Sequence, residues 1–139
     1  MNPQPLSRRT RRTAALVGIT TFLNCLDAAA ATPTELLAGY RGAAGAAPTP
    51  TRGQQLFTTP QGREWSCASC HGAVPTQTGR HASTGKPIGA LAPAFNAGRF
   101  TDGAKVEKWF RRNCNDVVGR ECTAAEKADV LAWLLTLKP

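Results

Sequence analysis

The chain has 139 residues, 42 % of them hydrophobic and 19 % charged. That length holds one ordinary domain and excludes two, and the composition excludes a disordered or collagen-like chain. The formal charge is +8, with five cysteines, two histidines and a single methionine, Met1.

Residues 1–31 read as a cleaved export signal. Arg8, Arg9, Arg11 and Arg12 form a basic start, and Ala14 to Leu26 is an apolar stretch too short for a comfortable membrane anchor. Ala28 to Ala31 supply the small residues a signal peptidase needs, so the expected cut lies before Ala31 or Thr32. The remaining domain, 32–139, has 13 basic and 8 acidic residues, a formal charge of +5. It keeps four cysteines and no methionine. Export implies a periplasmic location, where disulfides persist, and no stable membrane insertion of the trimmed chain.

The trimmed chain reads as mostly helical with long loops. Thr32-Pro33-Thr34-Glu35 is a capping box with proline at the first helical position, and Leu36, Leu37 and Tyr40 give the following helix an apolar face. Pro48-Thr49-Pro50 ends it. A second helix is expected over 51–58 with Leu56 and Phe57 inward, then a loop from Pro60 to Trp65. Five glycines and three prolines in 72–100 argue against regular structure there. A third helix starts at Thr101 or Asp102 and places Val106, Trp109 and Phe110 at core spacing; it is expected to stop near Asn113. Thr123-Ala124-Ala125-Glu126 is a second capping box, opening a last helix that buries Val130, Trp133, Leu134 and Leu137.

Between the second and third helices stands Cys67-Ala68-Ser69-Cys70-His71, the C-x-x-C-H attachment signature of haem c. Two thiols on one helical turn can each form a thioether with a haem vinyl group, and the adjacent imidazole then lies under the iron as its proximal ligand. One haem c per chain is expected. A thioredoxin-like pair would need a βαβ pattern that is not visible, and a zinc site would need a better second half than two cysteines eight apart and one further histidine.

The other side of the iron is the open question. Without a methionine the usual His/Met pair is impossible. The candidates are His81, a lysine (Lys86, Lys105 or Lys108), an amide (Asn96, Asn113 or Asn115), or water. His81 sits in a glycine-rich loop only ten residues past His71. Asn113 precedes Cys114, and a Cys114–Cys122 disulfide would restrict the chain directly beside it.

The trimmed chain resembles the sphaeroides haem protein family of periplasmic mono-haem cytochromes c along nearly its whole length. The resemblance is carried by Glu35 to Tyr40, Arg52 to Phe57, Ser66 to Gly72, Thr84 to Lys86, Leu91 to Pro93 and Arg99 to Asp102. Its most specific stretches are Val106 to Asn115 and Gly119 to Thr123, and it continues through Glu126 to Asp129 and Leu131 to Leu134. It implies an all-α, class I cytochrome c fold packed round one covalent haem. It also implies Asn113 as the distal ligand, beside a Cys114–Cys122 disulfide. By the same resemblance, the oxidised iron is high-spin, the asparagine leaves on reduction, and the vacated position takes oxygen or nitric oxide. The implied electron source is a di-haem cytochrome c, itself fed by a membrane cytochrome b. The alternative function is a plain electron carrier with His71 paired with His81 or a lysine.

The +5 balance suits an acidic docking partner as well as it suits a solvated surface, and Lys105, Lys108, Arg111 and Arg112 are the candidate patch. Nucleic-acid binding is not expected, because the aromatic residues keep core spacing instead of alternating with the basic ones.

Overall fold

The computed structural model describes Met1 and residues 30–139; the expected export signal lies outside the described residues. Five helices dominate: α1 (Pro33–Ala44), α2 (Pro50–Thr58), α3 (Ala68–His71), α4 (Gly103–Val117) and α5 (Ala124–Thr136). The segment between α3 and α4 carries a two-residue antiparallel ribbon, β1 (Gly79–Arg80) with β2 (Pro87–Ile88), and a 3-10 turn, Pro93–Phe95.

Both capping boxes form. Thr32 and Thr123 each accept the N3 backbone N–H while Glu35 and Glu126 reach back to the cap. This satisfies donors that a helix start otherwise leaves orphaned. α1 ends on Gly45, whose φ of 63° is the left-handed conformation glycine adopts without strain.

The core lies where α1 and α2 pack on α5. Phe57, Phe100, Val130, Leu131, Trp133 and Leu134 are buried, with Leu36, Leu37, Tyr40 and Leu56 packed against them. Phe57 and Trp133 set their rings 5.0 Å apart. Gly53 is what lets α2 approach so closely: a Cβ there would overlap the Asp129 carbonyl of α5. The buried Asp129 carboxylate accepts from Arg52 Nε at 2.8 Å and from its Nη2 at 3.1 Å, so the charge is paired where water is excluded.

Three sequence expectations need correction. The third helix does not stop near Asn113; α4 continues to Val117 and closes at Val118–Gly119, whose N–H groups both donate to the Cys114 carbonyl. Trp109 is 44 % exposed, while Val106 and Phe110 turn inward. Trp109 is one residue off the inward row, and at 100° per residue that places it on the helix flank. Leu137 lies beyond the last turn of α5 and is only half-buried.

Candidate haem site

Cys67, Cys70 and His71 lie on one turn because Cys67 opens α3: His71 N–H donates to the Cys67 carbonyl at 3.1 Å. Ser66 and Ser69 brace the entry, with the Ser66 N–H donating to Ser69 Oγ at 3.0 Å. The two cysteines, with two residues between them, are not bonded to each other. Burial pushes the Cys67 thiol up to about 11, which keeps it protonated at neutral pH.

His71 is half-buried, its ring 6.1 Å from the Phe57 ring. Burial lowers its pKa to about 4, and the nearby Arg99 charge pushes the same way. The neutral imidazole that results is the form that ligates a metal. No hydrogen bond holds either ring nitrogen among the described residues, so a nitrogen stays available. These donors fit a covalent haem: two free thiols on one turn and an unpartnered neutral imidazole beside them.

The segment after α3 folds back onto it. Gly79 passes so close to the Cys70 carbonyl that a Cβ would overlap it, and Ala82 N–H donates to Cys70 Sγ at 3.2 Å. Leu91 and Ala92 N–H groups both donate to the carbonyl of the fully buried Pro75. Arg99 adds bonds to the carbonyls of Gly89 and Ala90 at 2.6 and 2.9 Å. The glycine-rich stretch is thus pinned with only a short ribbon and a 3-10 turn as regular structure.

The distal candidates separate by what occupies them. His81 Nδ1 accepts from Thr84 N–H at 3.4 Å and lies 3.2 Å from Ser83 Oγ, within the ribbon turn tied to Cys70. Asn96 donates to the Ala90 carbonyl and accepts from Gly98 N–H, and Asn115 donates to the Arg111 carbonyl at 2.7 Å. Lys86, Lys105 and Lys108 are exposed. Asn113 is exposed in the C-terminal third of α4, and its amide makes no hydrogen bond among the described residues. It lies one turn past Trp109 on the same flank. The next residue, Cys114, is buried and disulfide-bonded to Cys122 with the Cα atoms 5.6 Å apart.

Sequence reasoning missed a polar cluster beside this helix. Glu107 accepts from Tyr40 Oη at 2.6 Å and from Lys127 Nζ at 2.7 Å, and Lys127 lies over the Tyr40 and Phe110 rings at 5.7 and 5.8 Å. The partners are 67 and 20 residues from Glu107, so no local signal announces them. Among the described residues no group of three or more His, Cys, Asp and Glu could hold a metal ion. No described helix is long and apolar enough to cross a membrane.

The chain was compared with known proteins. A family profile, the domain of unknown function DUF1924, matches residues 43–134. The cytochrome c-type protein SHP of Cereibacter sphaeroides is 53 % identical over 106 residues, covering 73 % of this chain and 81 % of that protein. Cytochrome c'' of Methylophilus methylotrophus is 50 % identical over 80 residues, covering 58 % of this chain and 56 % of that protein. The solved structure of oxidised SHP, an oxygen-binding cytochrome c, superposes with a TM-score of 0.73 at 49 % identity, covering 78 % of this chain and 99 % of that one. Oxidised cytochrome c'' gives 0.69 at 40 % identity, covering 77 % and 95 %. With its helices arranged as in those cytochromes c, this chain belongs to the SHP family of mono-haem c-type cytochromes and carries covalently bound haem c.

Proposed function

We propose that this chain is a periplasmic cytochrome that gates a small-ligand position with Asn113. In this reading Cys67 and Cys70 would hold the haem by thioethers, and His71 and the Asn113 amide oxygen would be the ligands of its iron. The observation that carries the reading is the state of three amides. Asn96 and Asn115 spend their side chains on backbone groups, while Asn113 has none of its hydrogen-bonding capacity used and stands beside a disulfide. The oxygen-binding character of SHP, the relative matched over most of its length, agrees with it.

The haem supplies an iron that gains and loses one electron and can take a small ligand where a position is open. The chain supplies the gate. An amide oxygen is a neutral, hard, weak-field donor and is better matched to ferric than to ferrous iron. Asn113 therefore holds its place in the oxidised protein and withdraws on reduction, admitting oxygen or nitric oxide. His71, fixed by the α3 turn and neutral at physiological pH, stays in place through both states. Electrons arrive from a partner protein, which the family resemblance makes a di-haem cytochrome c supplied by a membrane cytochrome b.

Ferric and ferrous absorption spectra, with and without carbon monoxide or nitric oxide, test this. A high-spin ferric spectrum and ready gas binding by the ferrous protein are expected, with both the ferric spectrum and the gas on-rate altered in Asn113→Ala. If Asn113→Ala leaves spectrum and on-rate unchanged, the gate is excluded. A low-spin, inert iron points instead to a plain electron carrier with His71 and His81 or a lysine.

A further inference from the structure

α4 is attached to the rest of the molecule unlike its neighbours. α1 and α2 lie closely along α5, whereas α4 meets its neighbours through side chains: Val106 and Phe110 pack inward, and the Phe110 ring stands edge-on to Tyr40 of α1 at 5.8 Å. Two further fastenings are polar or covalent. Near its C-terminal end Cys114 is bonded to Cys122, just before α5. Nearer its start, Glu107 is gripped by Tyr40 of α1 and Lys127 of α5. Lys127 is only 14 % exposed, and its ammonium also lies over two aromatic rings. This is more than a loose surface pair: the head group has a carboxylate and two ring faces at once. Burial, reinforced by the hydrogen bond to Glu107, raises the pKa of the Tyr40 phenol and holds it protonated. Lys127 and Tyr40 in turn keep the Glu107 carboxyl ionised against the opposing effect of burial.

We infer that the Tyr40–Glu107–Lys127 cluster sets the roll of α4 about its axis and thereby positions Asn113. The inference rests on Asn113 being the distal ligand. Six residues separate Glu107 from Asn113, roughly 9 Å along the axis and about 120° around it. The disulfide pins α4 near one end, and the apolar contacts of Val106 and Phe110, being non-directional, set its inward face only coarsely. A directional fastening on a different side removes the roll that remains. With side-chain ends about 5 Å from the axis, a roll of roughly 20° moves Asn113 by about 2 Å, enough to break a coordination bond. Glu107 is thus a positioning residue: it acts on the distal site through the helix.

Azide binding to the ferric haem protein tests this, because azide must displace whatever occupies the distal position. Glu107→Gln and Lys127→Met are expected to raise azide affinity by about five- to tenfold at 25 °C, as a charge-assisted bond to α4 is lost. Lys127→Arg, which keeps the charge, is expected to restore most of the parent affinity. Asn113→Ala gives the upper limit, and exposed Lys138→Ala serves as the control. A purely structural role would lower the unfolding temperature of Glu107→Gln and leave azide affinity at the parent value. That result, alongside a raised affinity in Asn113→Ala, overturns the positioning role while the distal-ligand reading stands. No change in Asn113→Ala overturns both. Should Glu107→Gln fail to accumulate folded, Tyr40→Phe removes one donor and keeps the ion pair; it is expected to raise affinity about twofold, and parent affinity in it counts against the inference.

Discussion

The α2–α5 pair and α4 contribute to one molecule by opposite means. α2 meets α5 backbone to backbone through Gly53, with Phe57 and Trp133 buried behind the contact and Arg52 closing over Asp129. α4 makes no such backbone approach and is held by the side chains of Val106 and Phe110, a disulfide and one polar cluster. Close-packed interfaces resist displacement because every atom has neighbours on all sides. Point fastenings permit rotation and small translation. The half that carries the α3 attachment turn is therefore built to stay still, and the helix that carries Asn113 is built to be adjusted.

The largest effect expected from breaking this contrast is on the tight side. In Gly53→Ala the new Cβ meets backbone atoms of Asp129 and Val130, which no rotamer change can relieve. A loss of more than about 3 kcal/mol in unfolding free energy is expected, at or beyond the upper end for overpacked cores. Urea titration of the ferric haem protein followed by circular dichroism measures it. A loss under about 1 kcal/mol would mean that α2 and α5 can separate cheaply, and the contrast would fail.

Removing the disulfide with Cys114→Ser and Cys122→Ser should cost less. Closing a loop with a sequence separation of 8 is worth about 2.5 kcal/mol in the chain-entropy treatment. The same pair of changes should alter carbon monoxide affinity of the ferrous protein if the bond restrains Asn113. Equal affinities with and without the disulfide would show that α4 is held elsewhere, and would shift the weight of its control to the Glu107 cluster.

How much of this could be read beforehand follows from the range of each interaction. The capping boxes at Thr32–Glu35 and Thr123–Glu126 are complete within four residues, so the starts of α1 and α5 are legible in the sequence. The C-x-x-C-H turn is equally local. The end of α4 was misplaced because Asn113 resembles a stop, while the usable signal was Gly119, whose φ of 82° closes the helix six residues later. Strands of two residues are too short for alternation to show, so the ribbon within 72–100 left no trace. The reason for a glycine at position 53 inside a helix lies on α5, 76 residues away, where no local pattern can show it. The Tyr40–Glu107–Lys127 cluster has the same character: three ordinary surface-type residues acquire a joint role only once three helices converge. At the distal position, counting methionines eliminated the usual ligand, but choosing among the amides required knowing which side chains the folded backbone already uses.

The smallest expected effect sharpens the same contrast at the junction between α4 and α5. Just past Cys122, Glu126 accepts from both terminal nitrogens of Arg120 at 2.8 and 2.7 Å and from Thr123 N–H at 2.8 Å. The Arg120 hydrogen bonds are the main cause holding its carboxyl down at about 2, with Thr123 assisting and burial opposing. A carboxyl depressed in the folded state stabilises it fully above its ordinary value of 4.5 and loses that contribution as the pH falls toward about 2. Because the pair is largely solvated, Glu126→Gln should lower the unfolding temperature by only roughly 2–4 °C at pH 7. The gap should shrink in added salt and close as the pH falls from 4.5 to 2. A gap that persists at pH 2 would assign the effect to the uncharged cap hydrogen bonds, with Arg120 contributing nothing. If the gap closes as expected, the junction behind the disulfide is held by charge, and this part of the fastening of α4 weakens in acid, whereas the Gly53 and Phe57 contacts of α2 with α5 do not titrate.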